Sequence, residues 1–304
     1  MNCIKGENAV TYMNKIKALL KLMRIYSYTK NGFVAAPLIF ANQLTNLLAV
    51  KNVLIGVFFF CLLSSAVYIF NDIRDIEIDR KHPQNCKRPL AAKEISLWFA
   101  GIFSLLLFAI SLGGSYLLNP VFFTYAFIYA LLHISYSLGV KHISIVESFI
   151  VALGFVLRVM AGSILVKAPA SEWIILATFF LALLLVFGKR KCEQMKFEQS
   201  HTESPRLVLA HYPSYWLDQC MSIAAAVSVL TYSLYCISPR GFSLGGKSMV
   251  FTVIPVLLGL YRFLQLDAQG KLNEELGQVV FKDAILLSAI LIWIIMLIAF
   301  IYIK

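Results

Sequence analysis

Between the second long apolar block and a proline, the chain reads Asn71, Asp72, Ile73, Arg74, Asp75, Ile76, Glu77, Ile78, Asp79, Arg80, Lys81, His82, Pro83. If a helix continues through this stretch, Asn71, Asp75 and Asp79 recur every four residues on one face, with Asp72 beside it. Carboxylates one turn apart repel each other and weaken a helix, so fold stability does not account for the row. Hard oxygen donors in this pattern suit Mg²⁺, which keeps several waters and takes further ligands from substrate phosphates. Metal-assisted transfer on a phosphorylated substrate is the chemistry indicated. The competing reading is a solvated, charged helix end with Arg74 and Arg80 as ion-pair partners. His82 and Pro83 end the helix, and Lys87, Arg88 and Lys93 follow. His82 reads as a substrate or loop contact rather than a ligand.

Further residues of the same chemical kind lie elsewhere. Glu147 opens the fifth apolar block and Arg158 lies three turns deeper. A charge inside a membrane span faces a cavity or a partner. The guanidinium fork suits phosphate, and a buried ion pair without a substrate role is the alternative. Gly188, Lys189, Arg190, Lys191 and Glu193 lie where the sixth block ends, with Lys30 and Lys141 at equivalent depth on other blocks. Lys191 also reads as a snorkelling surface lysine. Tyr136 and Tyr212 can bond a phosphate or hydroxyl, or serve as interfacial aromatics.

The elements that position these groups are membrane helices. The 304 residues are 60% hydrophobic and 14% charged, against about 25% charged in an ordinary soluble domain. The apolar residues fall in blocks of the length that spans about 30 Å of hydrocarbon as a helix. Backbone groups in lipid must pair internally, so blocks without strand alternation are α-helices. Expected spans are 31–48, 52–70, 97–118, 120–138, 145–166, 172–188, 217–238, 248–266 and 282–303. The expected fold is all-α: a polytopic bundle of nine transmembrane helices forming a single transmembrane domain over 1–304. Within it, 1–28 reads as an amphipathic N-terminal surface segment rather than a signal peptide.

With nine spans, most Lys and Arg fall on one side. Lys51, Lys167, Arg240, Lys247 and Lys304 fall on the other, and Arg158 lies inside a span. The crowded side is then cytoplasmic, with the N-terminus and the acidic row, and the C-terminus lies outside. The net charge of +11 thus reflects topology and phosphorylated partners, not nucleic acid. The six cysteines contain no CxxC pair and read as small buried residues.

At this level of detail the chain resembles the UbiA superfamily of intramembrane prenyltransferases. The string from Asn71 to Pro83 with Arg88-Pro89 is similar to the decaprenyl-phosphate phosphoribosyltransferase branch. So are Lys30-Asn31 with Ala36-Pro37, Tyr136-Ser137 with Lys141, and Gly154-Phe-Val-Leu-Arg158 with Ala161-Gly162. Gly188-Lys189-Arg190 with Glu193, and Arg206, Leu209 and Tyr212, extend the likeness. Two features depart from it: Gln84, Asn85 and Cys86 stand where Lys and Arg are usual, and Glu147 stands for the second-motif Asp.

The resemblance implies a nine-helix bundle, Mg²⁺ as cofactor, phosphoribosyl pyrophosphate as donor and a polyprenyl phosphate as acceptor. Asn71, Asp72, Asp75, Asp79 and Glu147 would hold the metal. Asp75, Asp79 and Lys189 would act in catalysis. Lys30, Arg80, His82, Arg88, Tyr136, Lys141, Arg158, Lys189, Arg190 and Tyr212 would bind substrate. The partners are the two substrates and the membrane, with a homo-oligomer left open. Prenyl transfer from a polyprenyl pyrophosphate to an aromatic acceptor is one alternative. A transporter is another, although transporters place polar groups near the bilayer midplane, whereas here they gather at one face.

Overall fold

Helix Leu97–Leu118 shows how lipid shapes this chain. Its outward face carries Trp98, Ile102, Leu105, Leu106 and Leu117, whereas its buried face is Ala100, Ser104, Leu107, Ser111 and Ser115. Bulk faces outward and small residues face inward, because close backbone approach rather than hydrophobic exclusion joins helices in a membrane. Ser104 Oγ donates to the Ala66 carbonyl of the neighbouring helix at 2.9 Å.

The computed structural model describes residues 15–81, 85–200, 212–272, 279–280 and 282–303, with backbone alone at 196–200. We number the helices α1 (15–22), α2 (Ala36–Phe40), α3 (Leu47–Arg74), α4 (Ile76–Lys81), α5 (Leu97–Leu118) and α6 (Pro120–Leu138). Then follow α7 (Val146–Leu165), α8 (Glu172–Ser200), α9 (Ser214–Ile237), α10 (Pro239–Gly245), α11 (Val253–Ala268) and α12 (Ala284–Tyr302). The described residues form helices, turns and loops without a strand. Helix starts carry the expected side-chain caps. Asn46 accepts from Leu48 and Ala49 N–H, Asn119 from Val121 and Phe122, and Asp283 from Leu286.

Among the described residues, eight helical spans are long and apolar enough to cross a membrane. They match the expected spans from the second onward, with α10 and α11 joined into one span, Pro239–Ala268. This is a multi-pass membrane protein.

The first expected span, 31–48, is corrected. Residues Ile25–Val34 wind as a 3₁₀-helix, α2 follows, the chain turns at Asn42 (φ 54°), and Asn46 already caps α3. The physical reason is polarity. The stretch carries Tyr28, Thr29, Lys30 and Asn31, and it buries Ser27, Asn31 and Val34 while Thr29 and Lys30 stay exposed. A 3₁₀-helix rises about 2 Å per residue, so a short segment still reaches most of the way across. Arg24 pairs with Asp72 at one end, and the Leu38 carbonyl accepts from Tyr302 OH at the other, 3.2 Å away. The expected count of nine is thus approximate, with eight full spans among the described residues. Of the expected surface segment 1–28, the part from residue 15 is described: α1 buries Ala18 and Leu22 and exposes Lys15 and Lys17.

Helix α7 lies at the centre, packed against α6, α8 and the 3₁₀ segment. Gly162 permits this approach, since a Cβ there would lie 1.9 Å from the Val34 carbonyl oxygen. One core forms where α7, α8, α9 and α11 meet around Phe155, Leu184, Leu217, Met221 and Phe263. A second joins α3, α6 and α7 around Phe60, Phe122, Tyr129 and Leu165. Cys61, Cys220 and Cys236 are free thiols.

Candidate active site

The acidic row sits where α3 hands over to α4. The helix is not continuous: Asp75 terminates α3 and α4 begins at Ile76. The four-residue rhythm nevertheless survives, because Asp75 N–H donates to the Asn71 carbonyl (2.9 Å) and Asp79 N–H to the Asp75 carbonyl (2.8 Å). Each carboxylate meets a cation from another part of the chain. Arg24 pairs with Asp72, and Arg88 Nη1 bridges Asp72 (3.3 Å) and Asp79 (2.6 Å). Lys141, in the turn after α6, pairs with Asp75 and so ties the two motif-bearing loops together. Burial raises the Asp79 carboxyl above its ordinary value, against the pull of Arg88.

One atom of the row is unsatisfied. Asn71 Nδ2 donates to Asp75 Oδ2 at 2.9 Å, while Asn71 Oδ1 is buried with no hydrogen-bond partner. A buried acceptor left empty is costly. This carbonyl oxygen beside a carboxylate is what a hard cation uses. Among the described residues no three His, Cys, Asp or Glu side chains converge as a metal-holding group. An ion bound here would draw on Asn71 Oδ1 and on substrate oxygens, as Mg²⁺ commonly does.

Glu147 stands in a different setting. It lies in the first turn of α7, fully buried, and Arg190 of α8 clasps both its oxygens, Nε to Oε1 at 2.7 Å and Nη2 to Oε2 at 2.5 Å. Ser148 Oγ donates to Oε1 at 2.8 Å, and Tyr136 and Tyr212 hydroxyls lie at 3.5 and 3.4 Å. Arg190 Nη1 also donates to Glu193 at 2.7 Å. The backbone aims Glu147 through strain: Ile145, a β-branched residue, has φ 68°. Tyr212 OH accepts the Ile145 N–H at 2.6 Å and holds the turn. Lys189 is more exposed and lies 3.7 Å from Glu193.

Deeper in the bundle, Arg158 is satisfied by neutral groups alone. Its Nε donates to Asn31 Oδ1 (2.8 Å), Nη1 to the Gly154 carbonyl (2.9 Å) and Nη2 to Tyr129 OH (2.8 Å). Its guanidinium also lies over the Tyr129 ring, 4.6 Å from the centroid. The ion-pair alternative for Arg158 is therefore not what the structure shows. Gly154 matters a second time, since a Cβ there would come within 2.7 Å of His133 Nε2, which has no hydrogen-bond partner.

The structure thus brings Asn71, Asp72, Asp75, Asp79, Arg88 and Lys141 together, and gathers Glu147, Arg190, Tyr136 and Tyr212 in a second cluster. Arg80 forms an exposed pair with Glu77 at 2.7 Å and is not drawn into the row. His82, Arg206 and Leu209 lie outside the described residues. Lys191 does not snorkel. It is buried and ties α8 to Asp267 of α11 (2.7 Å) and Asp218 of α9. Arg24, Asn31, Tyr129 and His133 were not singled out for chemistry. Tyr129 and His133 signalled only by polarity within an apolar block, Asn31 by its place beside Lys30, and Arg24 by being one of several basic residues of the N-terminal segment.

Comparison with known proteins shows the family to which the chain belongs. The model of the UbiA prenyltransferase family matches residues 32–275. A decaprenyl-phosphate phosphoribosyltransferase of Mycobacterium tuberculosis is 30% identical over 95% of this chain and 96% of its own length. That of Corynebacterium glutamicum is 29% identical over 95% of this chain and 88% of its own. A solved UbiA homologue from Archaeoglobus fulgidus, bound to DMAPP and Mg²⁺, shares the fold at a TM-score of 0.72 and 16% identity, covering 94% of this chain and 99% of that one.

Proposed function

The chain belongs to the UbiA prenyltransferase family and is a membrane-embedded transferase, and from that premise we propose that it moves 5-phosphoribose from phosphoribosyl pyrophosphate to a polyprenyl phosphate. The near full-length similarity to proteins named for that activity supports the donor and acceptor. The observation that carries the reading is the acidic row itself. An unmet Asn71 oxygen lies beside Asp75, and Arg24, Arg88 and Lys141 sit on the carboxylates.

The donor set fits Mg²⁺: oxygens only, with open positions for substrate phosphates. Asn71, Asp72, Asp75 and Asp79 would hold the ion. Bound there, it would neutralise the charge that builds on the leaving diphosphate. Arg24, Arg88 and Lys141 are positioned to turn from the carboxylates to phosphoryl oxygens, adding fixed positive charge where negative charge develops. Lys189, the more exposed cation of its cluster, sits at the rim for the same purpose. Glu147, with both oxygens engaged by Arg190, acts by holding α7 to α8 and fixing the turn that leads from Lys141. In the transfer, an acceptor phosphate oxygen bonds to the anomeric carbon as the carbon–oxygen bond to diphosphate breaks. The electron pair leaves with pyrophosphate. An ionised phosphate is already a nucleophile, so no general base is needed, and none of the Ser-His or Cys-His kind is present among the described residues of the site. The bias of Lys and Arg toward the Asp75 end supports a cytoplasmic site and N-terminus and a C-terminus outside.

Membranes containing the protein are incubated with Mg²⁺, a polyprenyl phosphate and phosphoribosyl pyrophosphate labelled in the ribose. Label in the lipid fraction supports the proposal. An unlabelled lipid fraction, with a prenylated aromatic product formed when a prenyl diphosphate and an aromatic acceptor are supplied, would overturn it in favour of prenyl transfer.

A further inference from the structure

Helix α1 has two opposite faces. Ala18 and Leu22 are buried, and Leu22 joins Ala66, Ile69, Leu90 and Ala100 in one core cluster. Ile73 and Ile76 pack against that cluster, and in the chain they follow Asp72 and Asp75. The inner face of α1 therefore rests beside the acidic row. Leu20 lies about 200° around the helix from both Ala18 and Leu22, with Ile16 one turn before it. These two are 45% and 57% exposed, and Lys15, Lys17 and Lys21 beside them are exposed as well. Lys15 and Lys17 make no ion pair among the described residues. Between Glu7 and Asp72 the chain has no acidic residue at all.

A second observation sets the depth of α1. Trp98, in the first turn of α5, is 84% exposed. An exposed tryptophan at the end of a span marks the headgroup level of a bilayer. Ala100 and Ile95, on either side of Trp98, belong to the cluster that holds Leu22, so α1 lies at that level. It is also fastened where the chemistry is. Lys21 Nζ donates to the Lys87 carbonyl, next to Arg88. The Met23 carbonyl accepts from Ser65 Oγ at 2.9 Å. Arg24 follows in the left-handed region at φ 52°, lies over the Tyr68 ring 4.9 Å from its centroid, and pairs with Asp72. Lifting α1 would carry Arg24 away from the acidic row.

We propose that α1 docks on anionic phospholipid headgroups of the leaflet at the acidic-row end, and that this contact keeps Arg24 seated at Asp72. Ile16 and Leu20 enter the boundary between headgroups and acyl chains, and Lys15 and Lys17 meet lipid phosphates. Charge selects the occupant. An apolar pair flanked by unpaired lysines is the pattern of a helix lying in an anionic interface. A second copy of the same face would set lysine against lysine. Each lysine at such a surface strengthens attachment on the order of fivefold. Only the effect on turnover rests on the transfer proposed above, where Arg24 meets phosphoryl oxygens; the docking does not.

The full chain is reconstituted into bilayers of phosphatidylcholine alone and of phosphatidylcholine with an equal part of phosphatidylglycerol, and amide hydrogen exchange is followed over 15–24. Two double variants accompany wild type, Lys15→Gln with Lys17→Gln and Ile16→Gln with Leu20→Gln. All four side chains are exposed, so the packing of Ala18 and Leu22 is kept. Wild type should exchange about tenfold more slowly in the anionic bilayer, and both variants should lose most of that difference. Equal exchange of wild type in the two bilayers, or a difference that survives in both variants, overturns the docking. Equal slowing by inorganic phosphate added to the neutral bilayer also overturns it, since an anion without a membrane surface would then suffice. Phosphoribosyl transfer in the same bilayers should be faster with phosphatidylglycerol in wild type and indifferent to it in the lysine variant. Transfer indifferent to lipid in wild type overturns the link to Arg24. Lipid-dependent exchange with no transfer in either bilayer supports the docking and removes the proposed reaction.

Discussion

Asp72, Asp75 and Asp79 meet their cations through single contacts and one shared arginine, and beside them the Asn71 carbonyl oxygen has no partner. Glu147 takes both nitrogens of a guanidinium fork, with a serine hydroxyl and two tyrosines around it. Both regions are acids paired with bases near the same end of the bundle, yet they are built for different ends. Single, shared pairs can open to admit a metal and a diphosphate at modest cost. A buried bidentate pair cannot be opened without stranding a charge, so it holds shape.

The largest effect expected from this contrast is on turnover. Asp75→Ala and Asp79→Ala should each lower Mg²⁺-dependent transfer by about 10²–10³-fold or more, with little change in the thermal midpoint in detergent. Near wild-type turnover in both would remove the distinction. Arg190→Gln should do the reverse in kind, costing about 3–5 kcal/mol of stability because Glu147 is left buried and unpaired. Thermal unfolding in detergent reads this. If Glu147→Gln abolished transfer while the midpoint held, Glu147 would move to the ligand side of the comparison.

Gly162→Ala probes the packing that brings the 3₁₀ segment to α7, where a Cβ would meet the Val34 carbonyl at 1.9 Å. It should destabilise by about 1–3 kcal/mol, read by thermal unfolding in detergent. Unaltered stability would show that the segment can shift away freely.

The smallest effects concern pH and contrast Asp79 with Asp283. Burial raises the Asp79 carboxyl, so its proton competes with metal from a higher pH than an ordinary carboxylate would allow. Donor binding should fall off correspondingly early on acidification. Asp283, bonded by Arg262 and capping α12, is lowered to about 2. Its stabilisation is complete above the unfolded carboxylate value of about 3.9 and is lost as pH falls through about 2. Acid titration of helix content in wild type and Asp283→Asn checks the window.

Much of the fold was legible because lipid imposes a simple rule on apolar block length, and α5, α6, α7 and α12 start and stop where that rule places them. The first span escaped it. Lys30 and Asn31 sit in a segment whose inward packing depends on Gly162, more than a hundred residues away. The acidic row was legible from its spacing alone, since four-residue periodicity survives the break at Asp75. Its counter-cations were not, because Arg24–Asp72 and Lys141–Asp75 join distant loops. The same holds for Arg158, whose partners Asn31 and Tyr129 lie on other elements, and for Glu147 and Arg190, read separately as ligand and substrate contact but placed in one clasp.

The most direct measurement is calorimetric titration of phosphoribosyl pyrophosphate into the purified protein, with and without Mg²⁺, in wild type and in Asn71→Leu. The account predicts Mg²⁺-dependent binding in wild type that weakens at least tenfold in Asn71→Leu, since the unmet oxygen beside Asp75 is removed. Equal binding in both proteins, or binding indifferent to Mg²⁺, would contradict it.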